Sequence, residues 1–380
     1  MLKNILIFST AYLPFVGGAE LAVKEITDRI QNHEFDMVTA KMDAKLPNVE
    51  KIGNVTVHRI GIGHPFFDKI FLVLFGHCLG LKLHKIKKYD VVWAIMASYG
   101  GFAALSFKLK TGVKFLLTLQ EGDPIEYILK KVRFVRRRFY LIFKKADGLQ
   151  PISNFLMNWG KKMGFVGNVS EVIPNGVDVV RFTKDYPREE LNEIRKSFGF
   201  AENSVILITA SRLVIKNGIE DVIKALPLLP DNVCFAICGV GELKGKLENA
   251  VKELNLEKRV KFLGNKSHEE LPKILKACDI FIRPSLSEGL GNAFLEAMAA
   301  GLPTIGTLVG GIPDFLRDGE TGFVCELNNP KSVAEAVKKA MNLSPENKSA
   351  VCNNAMNMIN EKYNWDKIAV KMRNLFERLV

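Results

Sequence analysis

The chain has 380 residues, 48% hydrophobic and 25% charged, with a formal net charge of +12. This is too long for one ordinary core and suits two globular, soluble domains of about 150–200 residues. Six cysteines without disulfide or zinc spacing, and no apolar run of the roughly 18 residues that span a membrane, exclude a disulfide scaffold and an integral membrane protein and make a reducing cytoplasm the expected compartment.

The charge is unevenly spread. Residues 1–180 carry 25 Lys and Arg against 15 Asp and Glu, whereas residues 181–380 carry 28 against 26. The basic surplus therefore belongs to the first half. The apolar run 5–8 reads as a first buried strand. A leader peptide is disfavoured because the run is short and Tyr12, Pro14 and Gly17-Gly18 follow at once. Gly17 and Gly18 open a helix to about residue 30, where they allow backbone to approach a ligand; a simple turn is the alternative. Strands are expected over 36–40 and 55–60. A helix over 66–88 is strongly apolar at 70–75. Then come strand 91–94, helix 99–109 and strand 115–118. This alternation argues a parallel sheet covered by helices.

Gln120 and Glu121 follow the last of these strands, at the strand end where α/β folds place ligands. They are candidates to orient a ligand, with a polar helix-entry loop as the alternative. Residues 128–145 hold eight basic residues and no acid. Read as one helix, they place Ile128, Val132, Val135, Phe139 and Ile142 on a core face. Outside it lie Lys130, Lys131, Arg133, Arg136, Arg137 and Arg138, interleaved with Phe134, Tyr140 and Leu141. That mixture fits an anionic membrane surface, where each basic residue contributes about 1 kcal/mol. A solvated basic face is the alternative; nucleic acid is disfavoured because no recognisable module accompanies the charge. Asn175-Gly176 is a turn, and 183–197 fits a linker and first helix.

In the second half, strand 205–209 leads to Arg212 and Lys216, before a helix over 218–226. Two cations between a strand end and a helix start can clamp a diphosphate. Strand 233–237, the turn Gly239-Val240-Gly241, strand 260–263 and helix 271–277 follow. A strand over 280–282 then enters a loop ending in Glu288, Gly289, Leu290 and Gly291, and a helix over 292–300. Gly301 fits its C-cap and Pro303 stops it. The helix start suits a phosphate. Glu288 stands beside it, and Glu296 shares a helical face with Asn292, so two acids flank a phosphate-binding turn and can accept bonds from sugar hydroxyls. An ordinary turn with two solvated glutamates is the alternative. Gly310-Gly311 makes one more turn, 322–324 closes the sheet, and a last helix over 365–379 carries Ile368, Met372, Leu375, Phe376 and Leu379 at helical spacing.

The Glu288–Glu296 segment, with Arg212, Lys216, Gly17-Gly18 and the Pro-Asn-Gly-Val-Asp run at 174–178, resembles the retaining nucleotide-sugar glycosyltransferases of family four. The resemblance covers nearly the whole chain and is most specific over 212–314. It implies the α/β GT-B fold: two Rossmann-like doubly wound domains, an interdomain cleft and a final helix crossing back to the first domain. Residues 1–180 with about 364–380 would bind acceptor, and 181–363 the nucleotide sugar. It implies that Glu288 contacts the donor sugar and Glu296 the ribose. Gly289, Leu290, Gly291 and Asn292 would face the sugar and phosphate, Gly17 and Gly18 the cleft, and Arg212 and Lys216 the departing diphosphate. Arg212, Lys216 and Glu288 are thus the expected catalytic set. Two departures stand out. The family's lysine directly precedes the glycine, where this chain has Asn217, and its usual histidine is replaced by Gln120, leaving Gln120 and Glu121 to orient acceptor or donor. With no Asp-x-Asp motif, neither a metal nor another cofactor is expected. UDP is favoured over GDP, and the acceptor is a glycan or a lipid-linked molecule met at the inner membrane face. Alternatives are an epimerase or phosphorylase of the same fold, or a non-catalytic nucleotide-sugar-binding protein at the membrane surface.

Overall fold

The computed structural model describes residues 2–380. It holds two compact units: one runs to Asn175 and includes Trp365–Val380, and the other is Gly176–Asn364. Both are doubly wound, Rossmann-like α/β units.

The first is built on strands β1 (Lys3–Phe8), β2 (His33–Ala40), β3 (Val49–Ile52), β4 (Val55–Ile60), β5 (Val91–Ile95), β6 (Lys114–Leu119), β7 (Gly148–Pro151) and β8 (Val169–Ser170). Their order is β3-β4-β2-β1-β5-β6-β7-β8. Every pairing is parallel except β3 with β4. Central strands of such a sheet are covered on both faces and read as unbroken apolar runs; β5, Val91-Val92-Trp93-Ala94-Ile95, is buried throughout. β3 lies outside the sequence expectation. It is an edge strand with no buried residue, so it carries no hydrophobic signal. Chain order reverses at β1, with β2 and β4 on one side and β5 to β8 on the other, which makes the carboxyl ends of β1 and β5 the switch point at which such sheets place ligands.

Helices α1 (Gly18–Arg29), α2 (Phe67–Ile86), α3 (Tyr99–Thr111), α4 (Ile125–Lys131) and α5 (Arg136–Lys145) belong to this unit. The C-terminal helix Trp365–Leu379 does too. Its Ile368, Met372, Leu375 and Phe376 share one core with Ile5, Ile7 and Trp93. Phe376 packs edge-on against Trp93 with ring centroids 5.2 Å apart.

The expected single helix over 128–145 is broken. A 3-10 turn, Arg133–Val135, separates α4 from α5. Phe139 and Ile142 reach the core as expected, but Val135 is exposed and Ile128 and Val132 are only half-buried. Like charges at i, i+3 and i+4 repel on a helix, and Lys130, Arg133, Arg136 and Arg137 would form such a ladder.

α2 also departs from a core helix. Its buried residues are Asp68, Leu72, Gly76 and Gly80, while Phe67, Ile70, Leu74 and Phe75 are exposed. The Asp68 carboxylate anchors its start by accepting the backbone N–H groups of Met42, Ile62, Gly63 and His64 at 2.7–3.1 Å. Burial opposes its charge, yet these donors hold its pKa below the usual carboxylate value.

The second unit uses β9 (Val205–Ala210), β10 (Val233–Cys238), β11 (Val260–Gly264), β12 (Ile280–Arg283), β13 (Thr304–Gly306) and β14 (Phe323–Val324), with α6 (Ile219–Ala225) and α7 (Asn292–Ala299) among its helices. The sheet order is β11-β10-β9-β12-β13-β14, parallel throughout. Leu207, Phe235, Ile237, Ile282 and Ile305 lie in its core. Chain order reverses here between β9 and β12. Among the described residues no helix is long and apolar enough to cross a membrane.

Candidate functional site

The reversal puts the loops after β9 and β12 side by side at the carboxyl edge of the second sheet. The first loop carries Arg212 and Lys216, the second Glu288. They are joined through backbone: Leu286 N donates to Lys216 O at 2.7 Å. Gly218 turns with φ +66°, and a Cβ there would lie 1.9 Å from the Pro284 carbonyl oxygen, so both conformation and space demand glycine. Asn217, where the resemblance leads one to expect lysine, is buried and donates through Nδ2 to Arg212 O at 2.6 Å. It staples the turn. Lys216 sits in the 3-10 turn Ile215–Asn217. The Arg212 side chain is exposed and makes no hydrogen bond or ion pair among the described residues. One residue earlier, the enclosed Ser211 hydroxyl has no partner among them either.

Glu288 is not a free surface acid. Its Oε1 accepts from Arg283 Nη2 at 2.6 Å and from Ser285 Oγ at 3.2 Å, and both side chains of the ion pair are largely enclosed, Arg283 at 7% and Glu288 at 12% exposure. The Arg283 guanidinium lies 4.7 Å from the centre of the Phe294 ring. Both bonds go to Oε1, which leaves Oε2 for another partner. Arg283 had no role in the sequence reading. A charge closing the otherwise apolar strand 280–283 was the available signal, since a buried charge requires a partner.

Beyond Gly289 and Leu290, α7 starts at Gly291, φ +105°, with no side chain capping it. The first turn of such a helix carries N–H groups and partial positive charge. Glu296, one turn into α7, is half-buried and makes no side-chain hydrogen bond or ion pair among the described residues. Burial pushes its pKa up to about 7, against the pull of Arg283 and Arg181. Arg212, Lys216, Glu288, the turn 289–292 and Glu296 therefore stand on one edge of one sheet.

The other candidates belong to the first unit. Gly17 and Gly18 open α1 as expected, but Glu20 folds back so that its carboxylate accepts from the Gly17 backbone. Gln120 and Glu121 follow β6. Gln120 Oε1 accepts from Asn175 Nδ2 at 3.3 Å. Glu121 turns inward, and its Oε1 accepts from Ala97 N at 2.7 Å. Its Oε2 is enclosed with no hydrogen-bond partner. Burial lifts its pKa to about 7 although the Ala97 N–H opposes the shift. Glu121 lines a cavity of 430 Å³. Lys130, Lys131, Arg133, Arg136, Arg137 and Arg138 are all exposed. Among the described residues no group of three or more His, Cys, Asp and Glu is placed to hold a metal ion.

Comparison with known proteins bears on this arrangement. Residues 191–365 match the family described as glycosyl transferases group 1, and residues 16–181 match Glycosyltransferase Family 4. A relative from Escherichia coli, a UDP-Gal:alpha-D-GlcNAc-diphosphoundecaprenol alpha-1,3-galactosyltransferase, is 33% identical over 316 residues, covering 79% of this chain and 78% of that one. Among solved structures, sucrose-phosphate synthase from Thermosynechococcus elongatus superposes with a TM-score of 0.86 at 20% identity, covering 99% of both chains. Anabaena HepE in complex with UDP-glucose gives 0.79 at 18% identity, covering 99% of this chain and 100% of that one. These similarities show the GT-B fold.

Proposed function

The chain belongs to the glycosyl transferases of group 1, and from that premise we propose that it transfers a sugar, with retention at the anomeric carbon, from a nucleotide diphosphate sugar to a lipid-linked acceptor at a membrane surface. The observation that carries this reading is the meeting of the Arg212–Gly218 and Glu288–Asn292 loops at the strand reversal of the second unit. Arg212, Lys216 and the start of α7 offer positive charge to a leaving diphosphate, which lowers the cost of the charge it develops. Glu288 Oε2 and Glu296 offer acceptors to sugar and ribose hydroxyls. The bond from the anomeric carbon to the diphosphate oxygen breaks and its electron pair leaves with the diphosphate. The acceptor hydroxyl oxygen bonds to that carbon on the same face, and its proton passes to the leaving diphosphate. Glu288 is a positioning acid in this scheme, because Arg283 and Ser285 hold its Oε1. Gln120 and Glu121 serve the acceptor side. UDP is favoured over GDP, as in the E. coli relative, and the diphosphate is held by side chains and backbone without a metal.

Thermal unfolding with UDP-, GDP-, ADP- and dTDP-sugars in EDTA tests the donor site. A donor at about 100-fold its dissociation constant adds roughly 2.7 kcal/mol of stability. One nucleotide family should produce that shift, and Arg212→Ala should abolish it. A shift that persists in Arg212→Ala, or that needs added metal, overturns the assignment.

The membrane part of the proposal draws on the basic α4–α5 segment, on the exposed apolar face of α2 and on the lipid-linked substrate named for the E. coli relative. Flotation with phosphatidylglycerol vesicles should show binding that fades as salt is raised, because screening weakens exposed charges. Equal recovery with neutral phosphatidylcholine vesicles would remove the electrostatic docking surface.

A further inference from the structure

The 430 Å³ cavity of the first unit lies among α2, the start of α3, the ends of β5 and β6, and α4 with the turn after it. Its volume is within the range of small-ligand sites, about 300–1,000 Å³. One side is hydrocarbon: Ile70, Val73 and Leu74 from α2, Phe102 from α3, and Ile128 and Val132 across from them. At the strand ends it is polar, with Ser98, Asp123 and the unpartnered Oε2 of Glu121. Lys131 and Arg138 complete the wall, and the surface beyond them adds Arg133, Arg136 and Arg137.

Two local features build this space. Gly76 and Gly80 let α2 lie close on its neighbours: a Cβ on Gly76 would stand 3.3 Å from Ala103 Cβ, and one on Gly80 2.9 Å from the Phe8 ring. Close packing by small residues spends little of the helix's apolar surface, so Ile70 and Leu74 are left at 37% and 53% exposure. The break at Arg133–Val135 then keeps Ile128 and Val132 out of the core and presents them to the cavity. Contiguous exposed apolar surface of this kind marks a binding site, and the adjoining cations select an anionic partner.

We propose that this cavity is a subsite for one hydrocarbon chain of a phosphate-bearing lipid acceptor. The chain lies along Ile70, Val73, Leu74, Phe102, Ile128 and Val132, the phosphate is held by Lys131 and Arg138, and a polar group of the acceptor donates to Glu121 Oε2. The proposal rests on the lipid-acceptor reading above and adds the place where the chain goes. It commits to the acceptor's own chain and not to the bulk bilayer, because the space is a half-open cavity that continues into the polar strand ends instead of a flat apolar face.

Calorimetric titration of the full chain with hexyl, octyl and decyl phosphate, each below its micelle-forming concentration and with no donor present, tests it. Affinity should rise about fourfold for each methylene that enters the cavity, with inorganic phosphate and octanol both binding far more weakly than octyl phosphate. Val132→Asp and Val73→Trp, one charging the wall and the other filling the space, should each flatten the chain-length series while circular dichroism melts confirm folding. A flat series in the unmodified chain overturns the subsite, as does a series unchanged in both folded variants. Chain-length dependence seen only when vesicles are added assigns the apolar contact to the bilayer and also overturns it. None of these outcomes bears on the donor measurement, so failure of the subsite is distinguishable from failure of the transferase reading.

Discussion

Glu288→Gln should lower kcat/KM for sugar transfer by roughly 10²–10³-fold, the loss typical of removing one preorganised electrostatic contact, while leaving the fold intact. Glutamine is the informative substitution because of Arg283. In Glu288→Ala the Arg283 guanidinium, 7% exposed, loses its carboxylate, and an uncompensated buried charge costs about 3–5 kcal/mol. An inactive alanine variant would therefore not separate a lost sugar contact from a damaged loop. Glutamine keeps a carbonyl oxygen for Arg283 Nη2 and Ser285 Oγ, and puts an NH₂ where Oε2 would accept a sugar hydroxyl. Initial rates across donor concentrations, beside urea unfolding of the same preparation, make the comparison. A folded Glu288→Gln protein within tenfold of full activity would show that the position supplies only a hydrogen-bond acceptor to Arg283 and Ser285, and would sink its role toward the donor.

Gly310→Ala should be nearly as damaging although residue 310 offers no side chain to a substrate. Gly310 has φ +56°, and a Cβ there would lie 1.7 Å from the Glu288 carbonyl oxygen, with the Glu288 carbonyl carbon at 2.8 Å. Both neighbours are backbone, which cannot rotate away as a flexible side chain can. The next residue reinforces the contact, since Gly311 N donates to Glu288 O at 3.3 Å. Left-handed conformation alone costs a non-glycine residue about 1–2 kcal/mol, and relieving the clash must push the Glu288 loop off its position. A misplacement of about 1 Å can cost 10²-fold in rate. The expected result is a destabilised protein whose kcat falls at least a hundredfold. Gly245→Ala is the control: it lies in the helix Lys244–Glu253 with nothing within 4 Å of its Cβ, so it should gain up to about 1 kcal/mol of helix propensity and keep its rate. Equal activity in the two variants would mean that the 310–288 contact does not position the site.

The features read correctly from the chain alone are those whose signal is local. Ile280 to Ile282 followed by Gly289, Gly291 and a helix capped at Gly301 is a strand–turn–helix because each residue's conformational preference agrees with its neighbours'. The observed helix, Asn292–Ala299, ends before a left-handed Gly301 at φ +83°. The apolar spacing of 365–379 likewise announced a buried helix face. Glu288, Glu296, Arg212 and Lys216 stand out as candidates because each lies beside a turn and a helix start, features that are neighbours in sequence; the roles of Glu288 and Arg212 are what the substitutions above test.

What the chain did not announce depends on which segments meet. Strand order is set by long-range pairing, so only the folded sheet places the Arg212 loop beside the Glu288 loop, 76 residues on in the numbering. Arg283 and Glu288 pair because an irregular loop folds one back on the other, and no helical or strand period encodes that. Residues 128–145 keep the spacing of a continuous helix, yet the folded chain breaks it at Arg133–Val135, and Ile128 and Val132 turn from expected core to cavity wall. The cavity itself is assembled from residues near 70, 98, 121 and 132, four stretches with no mark in common. Periodicity reports which face of an element is apolar; packing alone decides whether that face is covered by the protein's own core or left open for something else.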